Sequence, residues 1–280
     1  MAVLNINYPF CPNSTFLDKV LDILCDNLTG VFNNGQPGLL KDLRDIYKKM
    51  RDDINNPQYV IYPLPSSCLN PNINTIKLSK NGIISAGHDL PVWLNDPETA
   101  SCRIMVLSQD PRRSEAESLN NTIGISSPFG LHSRIWRSNL TKGFIHDAMV
   151  QLINGNRIKG IDTSVYYTDI YKLRKVQPAK TDTTNSTIYN DILCKEICLF
   201  QPTIIVTLGD DAKNSLNKIN CPCLKQLNPK IVNLPHPNAR YDKKNKTWGN
   251  LKLADNKAAT KIAEIKELIK KKMQSNYSFN

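Results

Sequence analysis

Three residues of the types that do chemistry, Asp110, Asp169 and His236, and one glycine, Gly209, stand just past short apolar runs. The clearest case is Arg103–Arg113, RIMVLSQDPRR, where Ile104 to Ser108 is the apolar run and Gln109-Asp110-Pro111 the polar turn that ends it. A short apolar run bounded by a turn is the pattern of a buried central strand. Pro111 stops that strand and stiffens the corner, which sets Asp110 at the strand's carboxyl end. Ser164–Thr168 is followed by Asp169, Thr203–Leu208 is closed by Gly209, and Lys230–Leu234 runs into Pro235-His236-Pro237. Carboxylates and an imidazole are groups able to do acid–base or electrostatic work at such an edge. In open α/β sheets ligands bind outside the carboxyl ends of the strands, so the four positions are expected to converge on one crevice. Rival readings stay open. An isolated Ser-Gln-Asp-Pro also suits a surface turn whose Asp bonds its own backbone, and Asp169 also suits a structural carboxylate paired with Lys172 or Arg174. His236 between two prolines is a poor candidate for a core histidine, whereas His88, His132 and His146 read as surface or packing residues.

The elements that position these residues follow from periodicity. Phe16-Leu17, Val20-Leu21, Leu24 and Leu28 keep helical spacing, and Leu39-Leu40, Leu43, Ile46-Tyr47 and Met50 repeat it, with Gly30 to Gly38 as the turn between. Tyr59 to Asn74 reads as an irregular crossing, and Gly82 to Pro97 as a loop packed on the sheet. From Arg103 the pattern becomes strand, loop, helix, repeated. The strands are Arg103–Ser108, Ser164–Thr168, Thr203–Leu208 and Lys230–Leu234, and the helices are Asn139–Ile153, Thr187–Phe200, Asp211–Ile219 and a charged C-terminal Leu251–Met273. Ser114–His132 and Cys221-Pro222-Cys223 read as loops. Such alternation implies parallel strands with right-handed crossovers.

The chain has 280 residues, enough for one large domain with an appendage. Its 36 Lys and Arg against 25 Asp and Glu give a formal net charge of +11, which favours an acidic polymer as partner. No stretch approaches the ~18 apolar residues of a membrane span, and the first residues, MAVLNINYPFCPN, lack the basic and apolar regions of a signal peptide. Eight irregularly scattered cysteines suit free thiols in a reducing cytoplasm. Cys194 and Cys198 share a helix face and, with Cys221 and Cys223, invite a metal or iron–sulfur reading. Neither pair has C-x-x-C spacing, so no metal and no cofactor is expected. A nicotinamide site lacks its G-x-G-x-x-G, and no P-loop is present.

Taken together, the motifs at the strand ends resemble those of the uracil-DNA glycosylase superfamily over roughly Arg103–Met273. SQDP resembles that family's GQDPYH water-activating motif, YYTDIYK at Tyr166–Lys172 the strand carrying its base-reading Asn, TIIVTLGDDAKNSL at Thr203–Leu216 its LG-x-x-A strand-to-helix element, and LPHPNAR at Leu234–Arg240 its closing His-Pro motif. The resemblance implies a three-layer α/β/α fold around a central four-stranded parallel sheet over 101–280. The first hundred residues match nothing in the family, and their periodicity makes 1–100 an expected helical extension packed on that core. It implies that Asp110 positions the attacking water and His236 supports the departing base. Gln109, Arg112, Phe129 and Asp169 would line the base pocket. Arg113, Lys172, Arg174 and Arg240 would contact DNA.

Two departures from the family's pattern bear on substrate. Arg112-Arg113 replace the Tyr-His of GQDPYH, and in the family that Tyr excludes a C5 methyl; an Arg leaves room and donors at C5. Asp169 replaces Asn. An amide can donate to uracil O4, whereas a carboxylate only accepts and so suits the N4 amino group of cytosine. The expected activity is therefore monofunctional hydrolysis of the N-glycosidic bond of a flipped-out, C5-substituted cytosine by a cytoplasmic monomer, with defence against phages carrying such bases as its setting. Uracil repair is the alternative, and a catalytically silent DNA-binding module of the same fold the second.

Overall fold

A computed structural model describes residues 8–12, 15–27, 32–33, 38–53, 62–63, 88–109, 122–125, 144–172, 183–234, 267 and 271. Its main sheet has five strands: β3 (Val92–Leu94), β4 (Cys102–Ser108), β6 (Thr163–Asp169), β7 (Ile204–Leu208) and β8 (Lys230–Leu234), in spatial order β3-β6-β4-β7-β8. The last four are parallel neighbours, as the strand–helix alternation predicts. The residues of β4, β6 and β7 are buried almost without a break because helices cover both faces, whereas the edge strand β8 buries fully only Val232 and Leu234.

Alternation along β6 shows how the layers are shared out. Tyr167 points to α3 (Phe144–Arg157), where His146 Nδ1 lies 3.3 Å from its hydroxyl, and Thr163 accepts from Asn156 of the same helix at 2.8 Å. Tyr166 and Thr168 point the other way, to Glu196 of α4 (Thr183–Phe200). On that second face α1 (Thr15–Asn27) inserts Phe16 edge-on against Trp93, Tyr166 and Phe200, with ring centroids 5.0, 6.1 and 6.2 Å away. Such aromatic contacts add to the area they bury. α2 (Leu39–Asp53) supplies Tyr47, whose hydroxyl donates to the Pro91 carbonyl at 2.6 Å. The result is an α/β/α arrangement whose single core includes the N-terminal helices.

Several local expectations are corrected. The segment Gly82–Pro97 is more than a covering loop: Val92–Leu94 pairs antiparallel with β6 and extends the four parallel strands to a mixed sheet of five. Trp93 explains the gain, since it is wholly buried and stacks on Tyr166. Two further short strands, β1 (Tyr62–Pro63) and β2 (His88–Leu90), flank β5 (Thr122–Ile125), which lies inside the stretch Ser114–His132 read as loop. After α5 (Asp210–Lys218), the Cys221-Pro222-Cys223 loop opens a short helix, α6 (Pro222–Leu227), with Pro at its first position where its missing N–H costs nothing.

The assumption of free thiols fails at one pair: Cys198 and Cys223 form a disulfide. Among the described residues, Cys11, Cys25, Cys102, Cys194 and Cys221 take part in no disulfide. Burial, with Asp22 and Asp26 adding to it, pushes the Cys25 thiol up to about 11, and burial likewise raises Cys11 and Cys102, so these three act as small apolar packing groups.

Candidate active site

The register of the parallel strands sets the order of groups along the carboxyl edge. In chain order the four strands are β4, β6, β7 and β8, but in space β6 and β7 lie on opposite sides of β4. The chain leaves β4 to one side and later returns to the other. The crevice at such a reversal is where ligands bind in open α/β sheets, and here it opens between β4 and β7. Gln109 follows the first of these strands and Gly209 the second.

On one side of this point β4 and β6 stay paired beyond their last ladder residues. Ser108 is aligned with Asp169, Ile170 N–H donates to the Ser108 carbonyl at 3.0 Å, and Tyr171 N–H donates to the Gln109 carbonyl at 2.9 Å. Parallel neighbours in register share a face, so Ser108 and Asp169 lie side by side on the α3 face. Both are buried, Asp169 to 2% exposure. The Ser108 hydroxyl finds no hydrogen-bond partner among the described residues. Sequence reasoning passed over Ser108 because it ends an apolar run; the register shows it beside the second carboxylate.

On the other side, Gly209 N–H donates to the Leu234 carbonyl at 2.8 Å, which binds the end of β7 to the end of β8 just before Pro235-His236. Gly209 caps α5 with φ 87° and ψ 168°, a backbone region that a Cβ excludes. Asp210 and Asp211 occupy the first turn of α5 and complement its dipole themselves. Gly209→Ala is therefore expected to cost about 1–3 kcal/mol in strain, read as a lowered midpoint in urea. An unchanged midpoint would show that the turn can relax.

Of the residues read as functional from sequence, Gln109, Asp169 and Lys172 are described. Asp110, Arg112, Arg113, Phe129, Arg174, His236 and Arg240 lie outside the described residues. Gln109 is half-buried at the edge. Lys172 is a correction. It was expected at the DNA surface, but it is 1% exposed and its ammonium donates to Glu196 Oε2 at 2.7 Å and to Thr168 Oγ1. Glu196 also accepts from the Tyr166 hydroxyl and from Thr168, each at 3.1 Å. An ammonium buried to this degree and turned inward onto a carboxylate does not reach a phosphate outside. Its work is to clamp the turn after β6, and with it Asp169, onto α4. The same geometry removes Lys172 as the partner considered for Asp169. Glu196 was legible in principle, because it falls on the buried stripe with Ile192 and Phe200, where an acid needs a partner.

The comparisons with known proteins bear on the family of the chain. Residues 97–260 match the model of a family described as the Uracil DNA glycosylase superfamily. No curated protein matches the chain. No helix among the described residues is long and apolar enough to cross a membrane. Proteins of this superfamily are generally DNA glycosylases, so an activity of that kind, exerted on DNA, goes with the match. The match covers more than half of the 280 residues and spans all four parallel strands, and the chain belongs to the uracil-DNA glycosylase superfamily.

Proposed function

We propose that this chain is a monofunctional DNA glycosylase that removes a C5-substituted cytosine. The observation that carries the reading is the carboxylate of Asp169, fixed beside Ser108 at the end of the strand next to β4. Asn is the family's reader at the matching position, and the change from amide to carboxylate exchanges a donor for an acceptor. The N4 amino group of cytosine offers the hydrogens that uracil O4 lacks. Ser108, whose hydroxyl has no hydrogen-bond partner among the described residues, is a second polar group for the base edge. Arg112 in place of an aromatic wall leaves C5 open, and the net charge of +11 favours the phosphates around the flipped nucleotide.

In this reading the target nucleotide leaves the duplex and its base enters the crevice between β4 and β7. The C1′–N1 bond breaks as positive charge grows on the sugar and negative charge on the base. Asp110 holds and orients the water, takes its proton as oxygen joins C1′, and stabilises the sugar cation. His236 donates to the base O2 and supports its charge as it departs. Removal of unmodified cytosine would ruin the host's own genome, so the C5 group is required, which fits defence against phage DNA rich in such bases.

The test is a side-by-side excision assay on oligonucleotides carrying uracil, cytosine, hydroxymethylcytosine or glucosylated cytosine. Release of the C5-modified bases, with plain cytosine untouched, is the expected result, and Asp169→Asn should move activity towards uracil. Rapid release of uracil with no action on the modified cytosines would overturn the substrate. The family match favours that outcome as the second reading, uracil removal in repair, in which Asp169 is structural.

A further inference from the structure

We propose that Cys194, Cys198, Cys221 and Cys223 form a tetrathiolate site for one zinc ion in the reduced protein, a site separate from the carboxyl edge and independent of the glycosylase reading. Cys194 and Cys198 are four residues apart on α4 and so lie one above the other on a single face. Cys221 and Cys223 flank Pro222 at the start of α6, whose ring stiffens the link between them. The fold brings the two pairs together. The sulfurs of Cys194, Cys198 and Cys221 all lie within 4.8 Å of one another, and Cys223 is bonded to Cys198 with their Cα atoms 5.3 Å apart. Four sulfurs thus occupy one small volume, although neither pair has the C-x-x-C spacing that announces such a site in a sequence.

Distance selects the ligand. In a tetrahedral site with Zn–S of ~2.3 Å the sulfurs stand about 3.8 Å from one another. The Cys198 and Cys223 sulfurs must separate by only about 2 Å to reach that spacing, a side-chain rotation once the disulfide opens. Ligands of a multi-iron cluster sit on different irons and stand farther apart, so the spacing suits a single ion. Four thiolates around Zn²⁺ carry a net double negative charge. The hollow beside Cys194, bordered by Lys195, Lys218, Asn190, Asp191 and Asn220, gives an entry path from solvent, and Lys218 offers compensating charge there, whereas the Lys195 ammonium donates to Asn27.

The chemistry balances as two steps. A dithiol reduces the Cys198–Cys223 bond, leaves both side chains as thiols and becomes a disulfide itself. The four thiols then bind Zn²⁺ and release four protons. The disulfide and the zinc site are thus alternative states of the same four side chains. In either state the group fastens the end of α4 to the turn that feeds β8. That turn lies at the amino edge of the sheet, one strand length, roughly 15 Å, from the edge that carries Asp169 and Gly209. The role is structural: it anchors the strand that delivers Pro235-His236.

The full-length protein, reduced with a phosphine and freed of metal, should bind about one equivalent of Zn²⁺, and Co²⁺ in its place should give the intense visible bands and sulfur-to-metal charge transfer of tetrahedral thiolate coordination. Cys194→Ser and Cys221→Ser, which leave the disulfide pair intact, should each weaken zinc binding at least tenfold, while Cys25→Ser should not. Alkylation of the unmutated reduced protein, mapped by mass spectrometry, gives a readout free of folding defects: zinc should shield these four cysteines and leave Cys25 unchanged. Less than a tenth of an equivalent of zinc, equal alkylation with and without it, or iron bound in its place would overturn the proposal.

Discussion

Asp110→Asn and His236→Ala are each expected to slow base release by about 10²–10³-fold in single-turnover assays, with duplex binding retained. Both groups are proposed to act where charge appears only as the C1′–N1 bond breaks, so their loss should fall on the chemical step more than on affinity. Asn keeps nearly the size of Asp and can still hold a water. It cannot take the water's proton or oppose the sugar's positive charge. Loss of the imidazole leaves the departing base's O2 without its donor. Because the two residues serve opposite ends of one breaking bond, the double variant should lose less than the product of the single effects if each depends on the other's alignment. Fluorescence anisotropy on the same oligonucleotide separates binding from turnover. Near-normal turnover in either variant would remove that residue from the site. A covalent adduct trapped with borohydride would overturn the hydrolytic mechanism, since direct attack by water leaves only an abasic site.

The central sheet was legible because each parallel strand is a short apolar run ended by a turn signal, and burial on both faces demands such runs. Lys230–Leu234 has the same bounds in sequence and structure, and β4, β6 and β7 differ from expectation by at most one residue at an end. β3 was not legible: three residues, Val92–Leu94, carry too little period to distinguish a strand from an apolar loop, and what makes them a strand is the distant ladder of β6. The strand order was not legible either. It depends on crossovers that send β6 and β7 to opposite sides of β4, and only the pairing reveals that Gln109 and Gly209 face the same reversal. Two charge assignments illustrate the same limit. Lys172 looks like a surface cation when its neighbours in sequence are Arg174 and Lys175, yet its partner is Glu196, on a helix 24 residues away. Cys194, Cys198, Cys221 and Cys223 look unrelated by spacing, and their meeting is a property of how α4 and α6 pack.

Glu196→Ala and Lys172→Ala should each destabilise the fold by ~3–5 kcal/mol, because each leaves an uncompensated charge or its desolvated partner in the core. Both side chains are 1% exposed, so water cannot make good the loss. Glu196 is the costlier to remove, since the Tyr166 and Thr168 hydroxyls lose their acceptor together with the ammonium. The pair as a whole is a different matter. Lys172→Met with Glu196→Gln removes both charges, keeps an amide oxygen for the two hydroxyls, and should recover most of the stability lost in the single alanine variants. Urea denaturation of the parent, Lys172→Met, Glu196→Gln and their double variant would show this as strong non-additivity. Single variants within about 1 kcal/mol of the parent would mean that the pair is not closed in solution. The clamp also has a consequence for activity that a merely stabilising pair would not have. Lys172 lies three residues past Asp169 and fastens the turn that follows it, so the neutral double variant, though folded, should discriminate less well between modified cytosine and uracil. Full retention of that preference would show that the β4–β6 ladder, through Ile170 and Tyr171, is enough by itself to hold Asp169 in place.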